Sequence, residues 1–231
     1  MKLLALDTAT EACSAALLIE NEVIERYRLA PREHNRLLLP MVDELLADAG
    51  LALTDIDAVA FGRGPGSFTG VRIATGVVQG IAYAADLPVV PVSTLAAMAL
   101  DAMVETGCEH AFPCIDARMG EVYWAAYRRV SGHAVEPVGP ESVICPDLVE
   151  LPDGIKGVGI GSGWATYDDR LRQRLPPQSV SQVFADRFPR ASLIARLGAD
   201  MFGRGVRLRA EEAQPVYLRD NVARKPGEAN G

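Results

Sequence analysis

Apolar and polar positions follow two different periods along the first half of the chain. Short apolar runs typical of buried strands alternate with stretches in which apolar residues recur every three to four positions, as in helices that cover a sheet. The predicted strands cover residues 2–6, 13–19, 23–29, 58–61 and 88–92, and the predicted helices cover residues 35–49, 71–85 and 94–105. Three early strands joined by short turns indicate an antiparallel meander, and the later alternation indicates an α/β sheet of mixed direction.

The same theme starts again near residue 111. Strands are predicted over residues 112–115, 121–130, 134–138 and 156–160, a turn over residues 116–120, and helices over residues 164–175 and 189–202. An aspartate at a strand end, followed by a hairpin, occurs in both halves, as Asp7 and as Asp116. We therefore expect a duplicated α/β unit, with one lobe over residues 1–108 and a smaller lobe over residues 109–231 whose last segment could pack back on the first.

The most distinctive segment is Gly-Arg-Gly-Pro-Gly-Ser-Phe-Thr-Gly at residues 62–70, called the glycine loop below. It joins a predicted strand to a predicted helix, and Ser67 stands where a helix N-cap belongs, so free amide groups suit an anion or a closely packed neighbour. Two nucleotide motifs are excluded by spacing. No lysine follows as in G-x-x-x-x-G-K-[ST], and the glycines do not give G-x-G-x-x-G. An anion site and a tight turn without a ligand both stay open.

The turn between the first two strands is similar to the phosphate clamp of the actin, hexokinase and Hsp70 class. That clamp combines an aspartate with small hydroxyl residues, which Ser14 and its neighbours could supply here. However, Glu11 and Ala12 stand where glycine would wrap a phosphate, and Glu11 adds a negative charge. The alternatives are a phosphate site and a polar hairpin turn. The candidate contacts to a nucleotide or another anion are Asp7, Thr8, Thr10 and Ser67.

Two helices carry more apolar or small residues than one sheet face requires. The helix after the glycine loop contains interior glycines that each cost about 1 kcal/mol relative to alanine and that form small-x-x-x-small rows suited to close packing. The first helix is apolar over more than one stripe, which commonly marks an interaction surface. The packing neighbour could be the chain's own sheet or a second subunit. The candidate interface residues are Leu38, Met41, Leu45, Gly70, Ile73, Ala74, Gly76, Val77 and Gly80.

Composition and short motifs further restrict the functions that the chain could have. The 231 residues carry a net charge of −7, which disfavours independent nucleic-acid binding, and the arginines at 204, 207 and 209 leave a tRNA contact open. Four cysteines without a C-x-x-C pair and three histidines without H-x-x-x-H spacing argue against a metal site. No G-x-S-x-G nucleophile motif occurs, and the start of the chain lacks the pattern of a secretory signal. We therefore expect a cytoplasmic protein that does not enter a membrane.

These features together resemble the TsaB (YeaZ) family over nearly the whole chain. The hallmarks of that family are L-x-[IL]-D-T-[AS], a histidine before a leucine-rich helix, the loop G-x-G-P-G-S-F-T-G-x-R-I, the hairpin D-A-R-x-G-E-V-Y and a terminal P-x-Y-L-R. The chain supplies them at residues 4–8, at His34 with residues 37–39, and at residues 62–73, 116–123 and 215–219. The glycine loop and the second hairpin are the most specific of these matches.

The resemblance implies a duplicated actin-like ATPase (ASKHA, ribonuclease-H-like) fold with two lobes built on mixed five-stranded sheets. It also implies a non-catalytic role in making N6-threonylcarbamoyladenosine on tRNAs that read ANN codons. In that pathway TsaD transfers the threonylcarbamoyl group to the adenosine beside the anticodon, TsaB supports it, and the ATPase TsaE joins them. The metal-binding H-x-x-x-H of TsaD is missing here, which fits a paralogue without the active site.

Further expectations concern partners and cofactors. The resemblance implies that the two helices form a heterodimer surface with TsaD, or a homodimer when TsaD is absent, and that tRNA is contacted indirectly through the complex. No cofactor of its own is expected, although ATP or ADP could bind at the complex interface. The alternatives are a stand-alone actin-fold ATPase or kinase-like enzyme, which would use Asp7 to bind Mg-ATP, and a glycoprotease-like peptidase.

Overall fold

The first half of the chain forms a mixed five-stranded sheet in the computed structural model, which describes residues 1–219. The strands are β1 (Lys2–Asp7), β2 (Ala12–Ile19), β3 (Glu22–Leu29), β4 (Ala58–Gly62) and β5 (Val89–Val92). Their order is β3-β2-β1-β4-β5, with β1 to β3 antiparallel and β4 and β5 parallel to β1. The predicted meander and the mixed sheet are both confirmed.

Three helices accompany this sheet, and the local sequence explains where they begin and end. They are α1 (His34–Ala49), α2 (Phe68–Ala85) and α3 (Thr94–Thr106). The Oγ of Ser67 accepts a hydrogen bond from the Gly70 N–H at 3.4 Å, and the Oγ of Ser93 accepts one from the Ala96 N–H at 3.2 Å. Both serines are therefore N-caps. Helix α1 ends at Gly50, whose φ of +64° is a conformation that glycine adopts without strain.

Up to residue 219, the second half of the chain contains seven strands and two helices. The strands are β6 (His110–Arg118), β7 (Glu121–Trp124), β8 (Tyr127–Ser131), β9 (Ala134–Pro137), β10 (Ser142–Ile144), β11 (Gly157–Ile160) and β12 (Val180–Phe184). The helices are α4 (Ser162–Arg174) and α5 (Ala191–Gly203). Short 3-10 helices cover Leu53–Asp55, Pro146–Leu148 and Ala210–Glu212. The second predicted lobe runs to residue 231, and its residues 220–231 lie outside the described range.

The two sheets repeat one topology. The main path of the second sheet is β10-β7-β6-β11-β12, with β10, β7 and β6 antiparallel and β11 and β12 parallel to β6. This order matches that of the first sheet strand for strand. The hairpin of β8 and β9 is an addition that pairs with β6. The predicted duplication is therefore confirmed at the level of topology.

Several predicted boundaries in the second half are wrong. The turn predicted over residues 116–120 is shorter, because β6 continues to Arg118 and only Met119 and Gly120 remain between the strands. The single strand predicted over residues 121–130 is two strands, β7 and β8, interrupted at the buried Ala125 and Ala126. Strands β10 and β12 were not predicted. Both lie at the edges of the second sheet, where burial on one side only leaves a weak apolar pattern.

Helix α5 packs on the first sheet although its sequence belongs to the second half. It lies against β1, β2 and β4, and a Cβ added to Gly198 would be only 2.7 Å from the Cβ of Ala60 in β4. The Ala191 N–H donates to the Oγ of Ser14 in β2 at 2.9 Å, which holds the start of the helix on the sheet. The largest buried cluster contains residues of α3, α5 and both sheets. The two halves thus share one core.

Candidate functional site

The glycine loop lies directly on the turn between β1 and β2. The Thr8 hydroxyl donates to the carbonyl oxygen of Gly70 at 2.7 Å, and the Ser67 N–H donates to the carbonyl oxygen of Ala9 at 2.7 Å. A Cβ on Gly66 would lie 2.3 Å from the Ala9 oxygen, and one on Gly70 would lie 2.0 Å from the Thr8 oxygen. Two glycines of the loop are therefore required for contact with the chain's own hairpin.

Asp7 is fully buried at the end of β1. One carboxylate oxygen accepts a hydrogen bond from the Ala9 N–H at 3.0 Å, while the other is buried without a partner among residues 1–219. A Cβ on Gly62 would be 1.8 Å from that second oxygen, so the first glycine of the loop covers the carboxylate. Burial raises the pKa of Asp7 to about 7. The carboxylate is thus shielded from any ligand that approaches through solvent.

The four predicted nucleotide contacts lie close together, and their hydrogen bonds go to the β1–β2 turn or to the start of α2. Asp7, Thr8 and Thr10 are buried, and the Thr10 hydroxyl accepts a hydrogen bond from the Ala12 N–H at 3.4 Å. Ser67 is exposed and caps α2. Of the four residues, Ser67 and the mostly buried Thr10 line the open cleft beside the turn, whereas Asp7 and Thr8 are fully buried. A nucleotide contact by these residues stays a prediction.

A cleft of about 380 Å³ opens beside the hairpin turn, between the two sheets. Arg118 at the end of β6 forms ion pairs with Asp116 at 2.9 Å and with Glu11 of the β1–β2 turn at 3.2 Å, so one arginine links the two halves across the cleft. Arg219 pairs with Glu121 and donates to the carbonyl oxygen of Arg118 at 3.4 Å. Two of the arginines that line this cleft, Arg118 and Arg219, are therefore already paired with carboxylates.

Arg118, Tyr217 and Arg219 are not among the predicted site residues, although they belong to two motifs of the family resemblance. The structure shows why the motifs belong together. The Arg72 guanidinium lies 3.7 Å from the centre of the Phe68 ring, and its Nε donates to the Tyr217 hydroxyl at 2.7 Å. The segment P-x-Y-L-R is thereby held against the helix that follows the glycine loop, and three motifs that are distant in sequence line one cleft.

The predicted partner surface on α1 and α2 divides into a buried and an exposed part. Five of the predicted residues are buried in the chain's own fold, which contradicts the expectation that they face a partner: Leu38, Met41, Leu45, Gly70 and Ala74. Leu38, Met41 and Leu45 pack with residues of the first sheet, and Gly70 lies against the Thr8 carbonyl. Ile73 and Val77 are half-buried, while Gly76 and Gly80 are exposed, with no atom within 4 Å of an added Cβ. Leu39 and Tyr83 extend the exposed part.

Other predicted features of the surface can be placed as well. Arg204 pairs with Asp200 at 3.0 Å and Arg209 with Glu211 at 3.0 Å, so two of the three clustered arginines are neutralised. Within residues 1–219, no group of three or more His, Cys, Asp and Glu residues is placed to hold a metal ion. No helix in the described part of the chain is long and apolar enough to cross a membrane.

The repeated sheet topology, with an aspartate at the end of the first strand, defines a protein of the actin-like ATPase fold class. The TsaD family model, described as tRNA N6-adenosine threonylcarbamoyltransferase, matches residues 18–158. The tRNA threonylcarbamoyladenosine biosynthesis protein TsaB of Escherichia coli (strain K12) is 43% identical over 228 residues, which cover 97% of both chains. The chain belongs to the TsaB family.

Two further relatives agree with this assignment. The tRNA threonylcarbamoyladenosine biosynthesis protein TsaB of Haemophilus influenzae is 39% identical over 233 residues, which cover 97% of this chain and 96% of the relative. The solved structure of YeaZ from Pseudomonas aeruginosa is 46% identical and has a TM-score of 0.87, covering 94% of this chain and 99% of that one. Similarity therefore extends over both halves of the fold.

Proposed function

We propose that this chain is a non-catalytic subunit of the bacterial tRNA N6-threonylcarbamoyladenosine synthase complex. It binds and supports a TsaD-type protein, which transfers threonylcarbamoyl to the adenosine next to the anticodon of ANN-decoding tRNAs. The names of the relatives support the pathway. The lack of an H-x-x-x-H motif in the sequence supports a subunit without a metal-dependent active site.

The observation that carries the proposal is the contact between the glycine loop and the hairpin turn. An actin-like ATPase needs an accessible aspartate and free backbone donors at this turn in order to hold phosphates and magnesium. Here the Ala9 N–H donates to the Asp7 carboxylate, the Thr8 hydroxyl donates to Gly70 of the loop, and the second Asp7 oxygen is covered by Gly62. These contacts support a chain that has the fold of an ATPase while its own glycine loop packs against the turn that would have to hold phosphates.

The exposed part of α1 and α2 is the proposed contact with TsaD. Gly76 and Gly80 lie one turn apart on α2 and leave its backbone open to close approach, and Ile73 and Val77 add apolar area beside them. The same surface would serve a homodimer when TsaD is absent. TsaE would join the complex, tRNA would be contacted through it, and ATP or ADP would bind at the complex interface rather than at a site of this chain alone.

Co-purification with the TsaD-type protein of the same organism tests the proposal. Gly76→Arg introduces a long side chain where the isolated chain has free space, so the variant should fold normally but lose the partner. Gly203→Arg is the matched control, because Gly203 is also an exposed helical glycine with nothing within 4 Å. It should bind as the wild type does. Equal partner binding by both variants would remove the proposed surface.

The catalytic alternatives are tested on the isolated chain. The ATPase alternative requires calorimetric binding of Mg-ATP that is lost in Asp7→Asn. The peptidase alternative requires cleavage of a candidate substrate that a chelator abolishes. The proposal expects neither, and it expects tRNA modification by the reconstituted complex to depend on this chain and to persist in Asp7→Asn.

A further inference from the structure

Three basic side chains meet where the β8–β9 hairpin faces α5. Arg129 lies on β8, His133 lies in the hairpin turn, and Arg196 lies on α5. The Nη1 of Arg196 is 3.1 Å from the Nε2 of His133, which accepts its hydrogen bond when the imidazole is neutral. Partial burial together with the charges of the two arginines lowers the pKa of His133. These residues are called the basic cluster below.

The basic cluster has no carboxylate to balance it. Within residues 1–219, neither Arg129 nor Arg196 has a carboxylate oxygen within 4.0 Å, whereas the adjacent Arg128 pairs with Glu136 at 3.5 Å. The Nε and Nη2 atoms of Arg129 are also buried without any hydrogen-bond partner in that range. Buried guanidinium donors without an acceptor are strongly unfavourable, and so is the approach of two like charges. A negatively charged hydrogen-bond acceptor would pair with the unsatisfied donors and would also reduce the repulsion between the two arginines.

Space for a ligand exists at the same junction. In the hairpin, Arg129 pairs with Val135, so the two side chains share one face of the sheet. Val135 and Leu197, the neighbour of Arg196, line a groove of about 690 Å³ between the hairpin and α5, whose lining also includes Glu141 and Asp200. The three cluster side chains do not line that groove. His133 is exposed and Arg196 is half-buried, so the cluster is reached directly from solvent.

We propose that the basic cluster binds a phosphate group at the junction of the β8–β9 hairpin and α5. Guanidinium groups present parallel N–H donors that match the oxygens of phosphate, and the protonated form of His133 would add another donor. The phosphate belongs either to a small anion or to an RNA backbone. The site itself is independent of the proposed function, and only the RNA source rests on it.

Thermal unfolding of the isolated chain tests the site with inorganic phosphate, compared with chloride at equal ionic strength. Phosphate should raise the midpoint of the wild type and of the control Arg128→Gln, because a ligand of the folded state stabilises it. The rise should vanish in Arg129→Gln and in Arg196→Gln. Each variant is compared with itself with and without phosphate, so a change in its own stability does not enter. The proposal would be overturned if phosphate raised the unfolding midpoint of the wild type no more than chloride does, or if it raised the midpoint equally in all four proteins.

The source of the phosphate is separated in the reconstituted complex with unmodified tRNA. If RNA supplies it, Arg196→Gln should reduce the slope of log affinity against log salt by about one, while Arg128→Gln should not. If a small anion is the ligand, the slope stays unchanged while the phosphate-dependent stabilisation is lost in the isolated chain. Failure of the complex to assemble would count against the proposed function and would leave the result with inorganic phosphate standing.

Discussion

At the scale of single residues, the glycine loop shows how a missing side chain can be a packing requirement. The helix that begins in this loop contains glycines in two situations. Gly70 is buried against the Thr8 carbonyl, and Gly76 faces open space. The sequence predicts close packing along the helix but does not distinguish these positions, because the distinction depends on which side of α2 the hairpin turn covers.

Alanine substitutions at the two glycines should change stability in opposite directions. Gly70→Ala should lower the free energy of unfolding by about 3 kcal/mol, because its Cβ would overlap the Thr8 oxygen. Gly76→Ala should raise that free energy by about 1 kcal/mol through better helix propensity. Urea denaturation of both variants measures the difference. A loss of similar size in both would show that Gly76 has a packing role within the chain.

Asp7 should make the stability of the chain depend on pH. Burial raises its pKa in the folded state to about 7 from 3.8, so the folded chain holds this proton over a range in which the unfolded chain has released it. The free energy of unfolding should therefore fall as pH rises from about 4 to about 7, by about 4 kcal/mol from this group.

Asp7→Asn isolates that contribution, because the amide can keep the hydrogen bond from Ala9 without a charge. Urea unfolding at pH 5 and pH 8 should show the variant gaining stability relative to the wild type at the higher pH. Asp153→Asn, at an exposed position, should show no such gain. If the difference between the wild type and Asp7→Asn is the same at both pH values, the carboxyl titrates outside this range.

At the scale of elements, the apolar pattern of the sequence predicts the central strands and the helices correctly, but it does not predict the edge strands of the second sheet. All eight elements predicted in the first half occur, because each buries a regular apolar face. Strands β10 and β12 escape prediction, since edge strands of three and five residues show no clear alternation. The buried and exposed sides of α1 are likewise not separable in sequence, because leucines occur on both.

Leucines on the two sides of α1 should respond differently to truncation. Leu45 is fully buried, and Leu45→Ala should lower the free energy of unfolding by about 2–5 kcal/mol. Leu39 is 49% exposed, and Leu39→Ala should change stability by less than about 0.5 kcal/mol. Chemical denaturation measures both. A large loss in Leu39→Ala would mean that the exposed side also supports the fold.

At the scale of the whole molecule, long-range contacts create the cleft and the shared core. The cleft brings Glu11 and Arg118 together with the segment that contains Tyr217 and Arg219, and these three parts of the chain are too far apart in sequence for spacing to relate them. The family resemblance identifies these motifs, but it does not predict that they line the same cleft. Helix α5 joins the halves in the same way, because its apolar side covers the first sheet.

A chain that lacks α5 should not fold. A fragment of residues 1–190 would leave the inner face of β1 and β4 uncovered, because Ile194 and Gly198 pack there in the full chain. We expect poor dispersion in its proton–nitrogen NMR spectrum and aggregation, whereas residues 1–219 should give a dispersed spectrum. A cooperative unfolding transition in the shorter fragment would show that the first sheet is stable without this helix.

The position of α5 also bears on synthesis in the cell. The first sheet is complete once β5 has been made, yet the helix that covers one of its faces ends about 110 residues later. At about 5–20 residues per second, that apolar face waits roughly 6–22 s on the ribosome. During this interval a nascent-chain chaperone would meet the surface that α5 later buries.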